Sequence, residues 1–169
     1  AVDKSTDLAL LKINTNNLPY ITFADSDQLK VGQWVIAIGN PLNLNSTVTA
    51  GIISAKGRSL NLLQHPNAIE SFIQTDAAIN AGNSGGALVN INGELIGVNT
   101  AIQSNTGSYT GYGFAIPSNM VKKIITDLKE YGEVRRAYIG IQVVDINPDI
   151  CDHLDISFNK GVLITKIIP

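Results

Sequence analysis

The sequence has little cysteine and little histidine. Cys151 is the only cysteine among 169 residues, so no disulfide can form within the chain. It is either a reactive thiol or, more simply, a small packed side chain. The two histidines, His65 and His153, stand alone without the spacing of metal ligands. We therefore expect no disulfide framework, no metal centre and no cofactor.

Charge is also scarce, and long hydrophobic runs are missing. Charged residues make up 15% of the chain, and 12 basic residues against 14 acidic ones give a net charge of −2. Without a basic cluster, the chain lacks the electrostatic footprint of a nucleic-acid-binding protein. Its longest apolar runs are far shorter than a membrane span. A hydrophobic content of 44% instead indicates a globular protein with room for one domain and part of another.

What the chain does contain is a small, glycine-rich stretch between residues 75 and 88. Gly82, Gly85 and Gly86 surround Ser84 there. Glycine permits a positive φ and close backbone approach, so the chain can turn sharply and direct neighbouring N–H groups at one point. A serine hydroxyl at that point would have donors nearby for a developing oxyanion. The pattern fits a catalytic serine, although a tight turn with an incidental serine has the same composition.

The residues that follow Ser84 distinguish two kinds of serine hydrolase. An α/β-hydrolase places a helix directly after its nucleophile, and here its triad would be completed by Asp127 and His153. Instead, an Asn92-Gly93 pair separates two apolar runs, which predicts a β-hairpin with a type I′ turn. A serine that leads into a hairpin favours a trypsin-like barrel.

The remaining pattern predicts a mostly β chain with one long helix. Apolar residues at 120, 121, 124, 125 and 128 form one face of a helix between Pro117 and Tyr131, and Gly132 is its expected C-cap. A charged linker follows the helix. Residues 25–27 are expected in a turn or as a helix cap. The expected strands are 6–13, 31–41, 47–55, 69–74, 87–91, 94–98, 112–117, 138–144 and 161–168.

These motifs together resemble the HtrA/Deg family of serine proteases, which have a trypsin-like two-barrel domain followed by PDZ domains. The matching motifs are, in order, Thr6-Asp-Leu-Ala-Leu-Leu-Lys12, Val35-Ile-Ala-Ile-Gly-Asn-Pro41, Gln74-Thr-Asp-Ala-Ala-Ile-Asn80, Gly82-Asn-Ser-Gly-Gly-Ala-Leu88 and Gly113-Phe-Ala-Ile-Pro-Ser118. The resemblance implies a protease domain over residues 1–132 with an incomplete first barrel. It further implies a linker at 133–137 and the start of a PDZ domain over 138–169.

The resemblance also implies the roles of individual residues. Ser84 matches the nucleophile, Asp7 the carboxylate that orients the catalytic histidine, and the N–H groups of Gly82 and Ser84 the oxyanion hole. The positions that match the S1 pocket imply a small aliphatic P1 side chain, although core packing explains the two isoleucines nearly as well; they are Ile79, Ile102 and Tyr112. The positions that match the carboxylate-binding loop of a PDZ domain are Tyr138, Ile139, Gly140 and Ile141.

One member of the expected triad is missing. Trypsin-like enzymes place the triad in the order His, Asp, Ser, and no histidine precedes Asp7 here. His65 lies in a polar stretch, where we expect a solvated side chain. We therefore expect these residues to be part of a longer polypeptide and to be inactive alone. Asn83 stands where digestive trypsins carry an Asp, so loop rearrangement on peptide binding is expected in place of zymogen cleavage.

The function implied by the resemblance is an ATP-independent serine endopeptidase that degrades unfolded or damaged proteins in the cell envelope or periplasm. A trimer-based homo-oligomer is implied for the full-length protein. The alternative is a protease-like chaperone or peptide-binding module that does not cleave. The residue that occupies the histidine position distinguishes the two.

Overall fold

The computed structural model describes residues 1–40, 46–60, 63, 68–102, 110–157 and 160–168. The chain divides into two compact units, Ala1–Val134 and Arg135–Pro169, and the division falls within the predicted linker at 133–137. Strands predominate in the first unit and α-helix is confined to one long segment after the last barrel strand. The mostly β fold with a barrel, which the sequence predicts, is confirmed.

Six strands of the first unit close into an antiparallel barrel. Their order around the barrel is β3-β4-β5-β8-β7-β6. Alternate residues of β3 point inward, so that Val35 and Ala37 are fully buried. The strands of the first unit are β1 Val2–Asp3, β2 Leu8–Ala9, β3 Trp34–Gly39, β4 Thr47–Arg58, β5 Phe72–Thr75, β6 Ala87–Asn90, β7 Leu95–Ile102 and β8 Gly113–Pro117.

Two apolar clusters hold the first unit together. One fills the barrel with small and branched side chains, among them Ile53, Leu88 and Ile96, none of which is exposed. The other lies between the barrel wall and the long helix, and its aromatic members Phe72 and Phe114 have ring centroids 6.2 Å apart. The second cluster therefore joins the barrel wall to the helix.

The long helix, α1 Ser118–Tyr131, confirms the sequence prediction. Val121, Ile124 and Leu128 are buried on the face that the 3.6-residue period predicts, and Met120 and Ile125 are half-buried beside them. Gly132 ends the helix in the left-handed conformation with φ 78°, and its N–H donates to Leu128 O.

The segment before the barrel differs from the prediction. The strand expected over residues 6–13 is reduced to β2, which pairs with β1 through Val2↔Ala9 and Asp3↔Leu8. The first residues of the predicted strand, Thr6 and Asp7, belong to a turn. Leu11, which is 85% exposed, has no strand partner in the described part of the chain. A 3₁₀ helix, Ser26–Gln28, follows, and Asp25 caps it by accepting the N–H of Asp27. The predicted cap at 25–27 is confirmed.

The hairpin after Ser84 is confirmed, but its predicted turn type is wrong. A type I′ turn needs a positive φ at both Asn92 and Gly93, and only Gly93 has one, at 78°. The N–H of Gly93 donates to Asn90 O, and the Asn90 side chain accepts the N–H groups of Asn92 and Glu94. These bonds favour a type I turn followed by a left-handed glycine, which adds one residue to the loop.

The second unit contains two antiparallel strands with a helix between them in sequence. Strands β9 Ile141–Asp145 and β10 Val162–Ile167 pair with each other, as the apolar runs predict. Helix α2 Pro148–Leu154 is not predicted from the periodicity, although Asn147 caps it by accepting the N–H of Ile150 and Pro148 opens it. In the described part of the chain, no helix has the length and apolar character needed to cross a bilayer.

Candidate active site

Ser84 lies on an exposed, sharply folded loop between β5 and β6. Two successive turns shape the loop, because the N–H of Asn83 donates to Asn80 O and that of Gly86 donates to Asn83 O, each at 2.9 Å. A side chain at position 86 would place Cβ 2.1 Å from Ile38 O, so only glycine allows the loop to rest on the end of β3. The loop thus holds Ser84 next to the end of strand β3.

The Ser84 loop is tied to β7 by main-chain and side-chain bonds. The N–H of Gly85 donates to Asn99 O at 2.8 Å, and the N–H of Asn99 donates to Gly86 O at 2.9 Å. The hydroxyl of Ser84 itself donates to the carbonyl oxygen of Thr100 at 3.0 Å. These bonds fix the position of the serine side chain relative to β7.

Asp7, near the start of the chain, also forms a hydrogen bond with Thr100. The hydroxyl of Thr100 donates to Asp7 Oδ2 at 2.9 Å, across 93 positions of sequence. Asp7 holds this position with a φ of 59°, a left-handed conformation that is uncommon outside glycine. Thr100 therefore contacts both Ser84 and Asp7, and the structure brings together the two residues for which the sequence predicts catalytic roles.

Backbone donors lie beside Ser84. In the described residues, the N–H groups of Gly82 and Ser84 donate to no protein acceptor, whereas those of Asn83, Gly85 and Gly86 do. Gly82 has a φ of 100°, which a side-chain-bearing residue adopts only with strain. Two unbonded donors next to a serine hydroxyl are what an oxyanion hole requires.

Comparison with known sequences identifies the first unit. Residues 1–98 match the sequence model of a family described as the trypsin-like peptidase domain. The chain belongs to the trypsin-like peptidase family.

Related proteins place this trypsin-like chain among the HtrA/Deg proteases, as the motifs predict. It is 51% identical over 168 residues to "Probable serine protease do-like" of Buchnera aphidicola, covering 99% of this chain and 34% of the relative. It is 50% identical over 169 residues to "Periplasmic serine endoprotease DegP" of Escherichia coli, covering 99% and 35%. The chain spans about a third of the length of these curated relatives.

A solved structure shows the same similarity in three dimensions. The structure described as "HtrA-type protease AlgW with decapeptide" is 45% identical and superposes with a TM-score of 0.79. The alignment covers 98% of this chain and 50% of that one. The recognition made from the sequence motifs is thereby confirmed.

The residues predicted to line an S1 pocket are partly brought together in this trypsin-like domain. Ile79 is 1% exposed within the barrel core, and it packs so closely on Gly113 that a Cβ there would lie 2.9 Å from Ile79 Cδ1. Tyr112, the neighbour of Gly113, is half exposed. The side chain of Ile102 lies outside the described residues. The pocket assignment stays a prediction.

The trypsin-like unit contains no histidine among its described residues. His65 lies outside them, and His153 is in the last turn of α2, in the second unit. The α/β-hydrolase alternative is wrong, because strand β6, not a helix, follows the Ser84 loop. Its proposed acid, Asp127, is a buried residue of α1 that forms an ion pair with Lys123.

The predicted carboxylate-binding loop of the second unit precedes β9. Tyr138 and Ile139 are largely exposed, Gly140 has a φ of 66°, and Ile141 is the first residue of the strand. The carbonyl of Gly140 accepts the N–H of Ile168 at 2.6 Å. This bond extends the pairing of the two strands to the base of the loop.

A groove of about 640 Å³ lies away from Ser84, between the residues that follow β2 and the end of α1. Its lining residues are Ala1, Leu10, Leu11, Lys12, Ile13, Leu128 and Lys129. None of these lining residues belongs to the Ser84 loop.

Proposed function

We propose that this chain carries the nucleophile and the orienting carboxylate of an HtrA-type serine endopeptidase. The observation that carries the proposal is the position of Thr100, whose carbonyl accepts the Ser84 hydroxyl and whose hydroxyl donates to Asp7. A carboxylate within two hydrogen bonds of an exposed serine is an arrangement that acyl transfer uses.

The proposed reaction is acyl transfer to Ser84. Ser84 Oγ attacks the scissile carbonyl carbon while its proton passes to the imidazole of a histidine that precedes Asp7 in the full-length protein. Asp7 accepts a hydrogen bond from that imidazole, and the N–H groups of Gly82 and Ser84 stabilise the oxyanion. The proton then goes to the leaving amine as the C–N bond breaks, and water hydrolyses the acyl-enzyme.

The relatives support the proposed substrates and setting. One is named a periplasmic serine endoprotease, and the AlgW structure contains a decapeptide. We therefore infer that the full-length protein degrades unfolded or damaged proteins in the periplasm or cell envelope as a trimer-based oligomer. We further infer that the loop at Tyr138–Ile141 binds peptide carboxylates. If the full-length protein lacks a working catalytic histidine, the surface around Ser84 would bind peptides without cleaving them.

The direct test is Ser84→Ala in the full-length protein. The substitution removes the nucleophile and leaves the rest of the loop, so we expect kcat for casein to fall on the order of 10⁶-fold while substrate binding is retained. The matched control is Ser59→Ala, which truncates an exposed serine outside the site. Retention of most of the turnover by Ser84→Ala would exclude this residue as the nucleophile.

Cleavage specificity tests the proposed pocket separately. Ile79 is apolar and Ala78 stands where a basic-specific enzyme would need a carboxylate at the pocket base, so P1 lysine and arginine gain no ion pair. We expect a peptide library to be cut after Val and Ala in preference to Phe, Lys or Arg. A profile dominated by Lys and Arg would contradict the pocket.

A further inference from the structure

The turn that precedes Asp7 is stabilised in an unusual way. Asp3 and Leu8 pair across the β1–β2 ladder, and residues 4–7 form the loop between them. Asp7 is the last residue of this loop and adopts the left-handed conformation, with φ 59°. That conformation is disfavoured for a residue with a side chain, so it persists only where the surrounding structure holds it.

The side chain of Asp3 is the centre of the bonds that hold this loop. Ser5 Oγ donates to its two carboxylate oxygens at 2.7 and 3.0 Å, and Thr6 Oγ1 donates to Asp3 Oδ2 at 2.6 Å. The backbone N–H of Ser5 also donates to Asp3 Oδ1 at 3.4 Å. A single carboxylate therefore receives donors from the two residues that lead into Asp7.

Burial makes these bonds consequential. Ser5 is 4% exposed and Thr6 is 2% exposed, so water cannot replace the carboxylate as the acceptor of their hydroxyls. The carbonyl of Ser5 accepts the N–H of Ile69 at 3.3 Å, which attaches the loop to the segment before β5. The loop is fixed to the body of the unit on one side and to Asp3 on the other.

We propose that Asp3 is a positioning residue for the catalytic carboxylate, an inference that rests on the proposed function. Asp3 bonds Ser5 and Thr6, the loop then sets Asp7 at a positive φ, and this backbone directs Asp7 Oδ2 to Thr100. Removing the Asp3 carboxylate leaves two buried hydroxyls without their acceptor, and the loop relaxes. Asp7 then turns away from Thr100 and no longer orients the imidazole. Substrate-binding groups are elsewhere, so the effect falls on kcat.

The experiment compares Asp3→Ala, Asp3→Asn and Lys4→Ala in the full-length protein. Lys4 is an exposed residue of the same loop and serves as the matched control. We expect Asp3→Ala to lower kcat about tenfold to a hundredfold, with KM within about twofold of the wild-type value. Asp3→Asn keeps one acceptor oxygen and should lose less, while Lys4→Ala should equal the wild type. Rates are taken per folded molecule, with the folded fraction measured by thermal unfolding.

Crystal structures of the same variants provide a readout that does not depend on activity. In Asp3→Ala, we expect Asp7 to leave the positive-φ region and its bond to Thr100 to be lost. The inference is overturned if Asp7 keeps its conformation and its bond, or if kcat stays within about twofold of wild type while Asp7 moves. Wild-type protein that does not hydrolyse casein would instead contradict the proposed function, and the position of Asp7 in the variant would still decide the role of Asp3.

Discussion

At the scale of single residues, Thr100 connects the parts of the site. Its carbonyl and its hydroxyl are used separately, the first by Ser84 and the second by Asp7. A hydrogen bond to a charged group contributes more than one between neutral groups. The Thr100 hydroxyl therefore restrains the Asp7 carboxylate. The backbone carbonyl restrains Ser84 whatever side chain is present at position 100.

This division of roles predicts the behaviour of two Thr100 variants. Thr100→Val removes the donor to Asp7 and preserves the shape and the backbone carbonyl, so we expect kcat to fall about tenfold, or ~1.4 kcal/mol in the barrier. Thr100→Ser keeps the donor and should retain most of the activity. Steady-state hydrolysis of a peptide substrate measures both. A loss in Thr100→Ser with none in Thr100→Val would show that the methyl group, and not the hydroxyl, is what matters.

At the scale of elements, the start of α1 is held by the loop around the 3₁₀ helix. The helix has no side-chain cap of its own at Pro117. Instead, Asn119 N donates to Ser26 Oγ at 3.1 Å, and Asn119 Nδ2 donates to Asp25 Oδ1 at 2.7 Å. The hydroxyl of Ser118 donates to Ala24 O at 2.7 Å. Two elements far apart in sequence thus satisfy each other's end groups.

This junction predicts a contribution to acid sensitivity. The hydrogen bond from the Asn119 side chain, followed by that from the Asp27 backbone, holds the pKa of Asp25 below its ordinary value of 3.8. Because the folded-state pKa is lowered, the stabilisation is present above about pH 4 and is lost as pH falls through the folded-state value. Urea unfolding between about pH 5 and pH 2.5 should show a smaller loss of stability in Asp25→Asn than in wild type. If the free energy of unfolding depended on pH identically in the two proteins, the contribution of Asp25 would be contradicted.

At the scale of the whole molecule, the described residues of the trypsin-like unit contain the proposed nucleophile, Ser84, and the proposed orienting carboxylate, Asp7, but no histidine. A serine hydroxyl at neutral pH is a poor nucleophile until a neighbouring base accepts its proton. We therefore expect residues 1–169, purified alone, to leave casein intact in an ordinary protease assay. The comparison is the full-length protein assayed at the same concentration. Robust cleavage by the 169-residue chain that His65→Ala abolishes would refute this and require a different triad.

Much of this architecture could be predicted from local patterns. The period of α1, its glycine cap and the hairpin after Ser84 depend on neighbouring residues, and all three are confirmed. The predicted type I′ turn at Asn92-Gly93 is wrong, because the side chain of Asn90 accepts two loop N–H groups and so favours a longer loop. Helix α2 is missing from the prediction, although Asn147-Pro148 is a recognisable start signal.

The tertiary relations within the site could not be predicted in the same way. The glycine-rich stretch predicts Ser84 and the resemblance predicts Asp7, but neither predicts their common contact with Thr100, which spans most of the first unit. Nothing in the sequence around Thr100 distinguishes it from other strand threonines. The strand expected over residues 6–13 failed because Asp3, a residue outside that run, draws Ser5 and Thr6 into a turn.

The closure of the barrel has a consequence for how the protein is made. Strand β8 pairs with both β5 and β7, so a chain that has been synthesised only to residue 98 leaves those neighbours with unpaired edges. Thr100, on β7, has not yet been synthesised at that stage, so Asp7 and Ser84 have no common contact. Pairing between distant segments is also the slow part of folding. In a growing polypeptide, the proposed site is therefore not assembled until synthesis has passed β8.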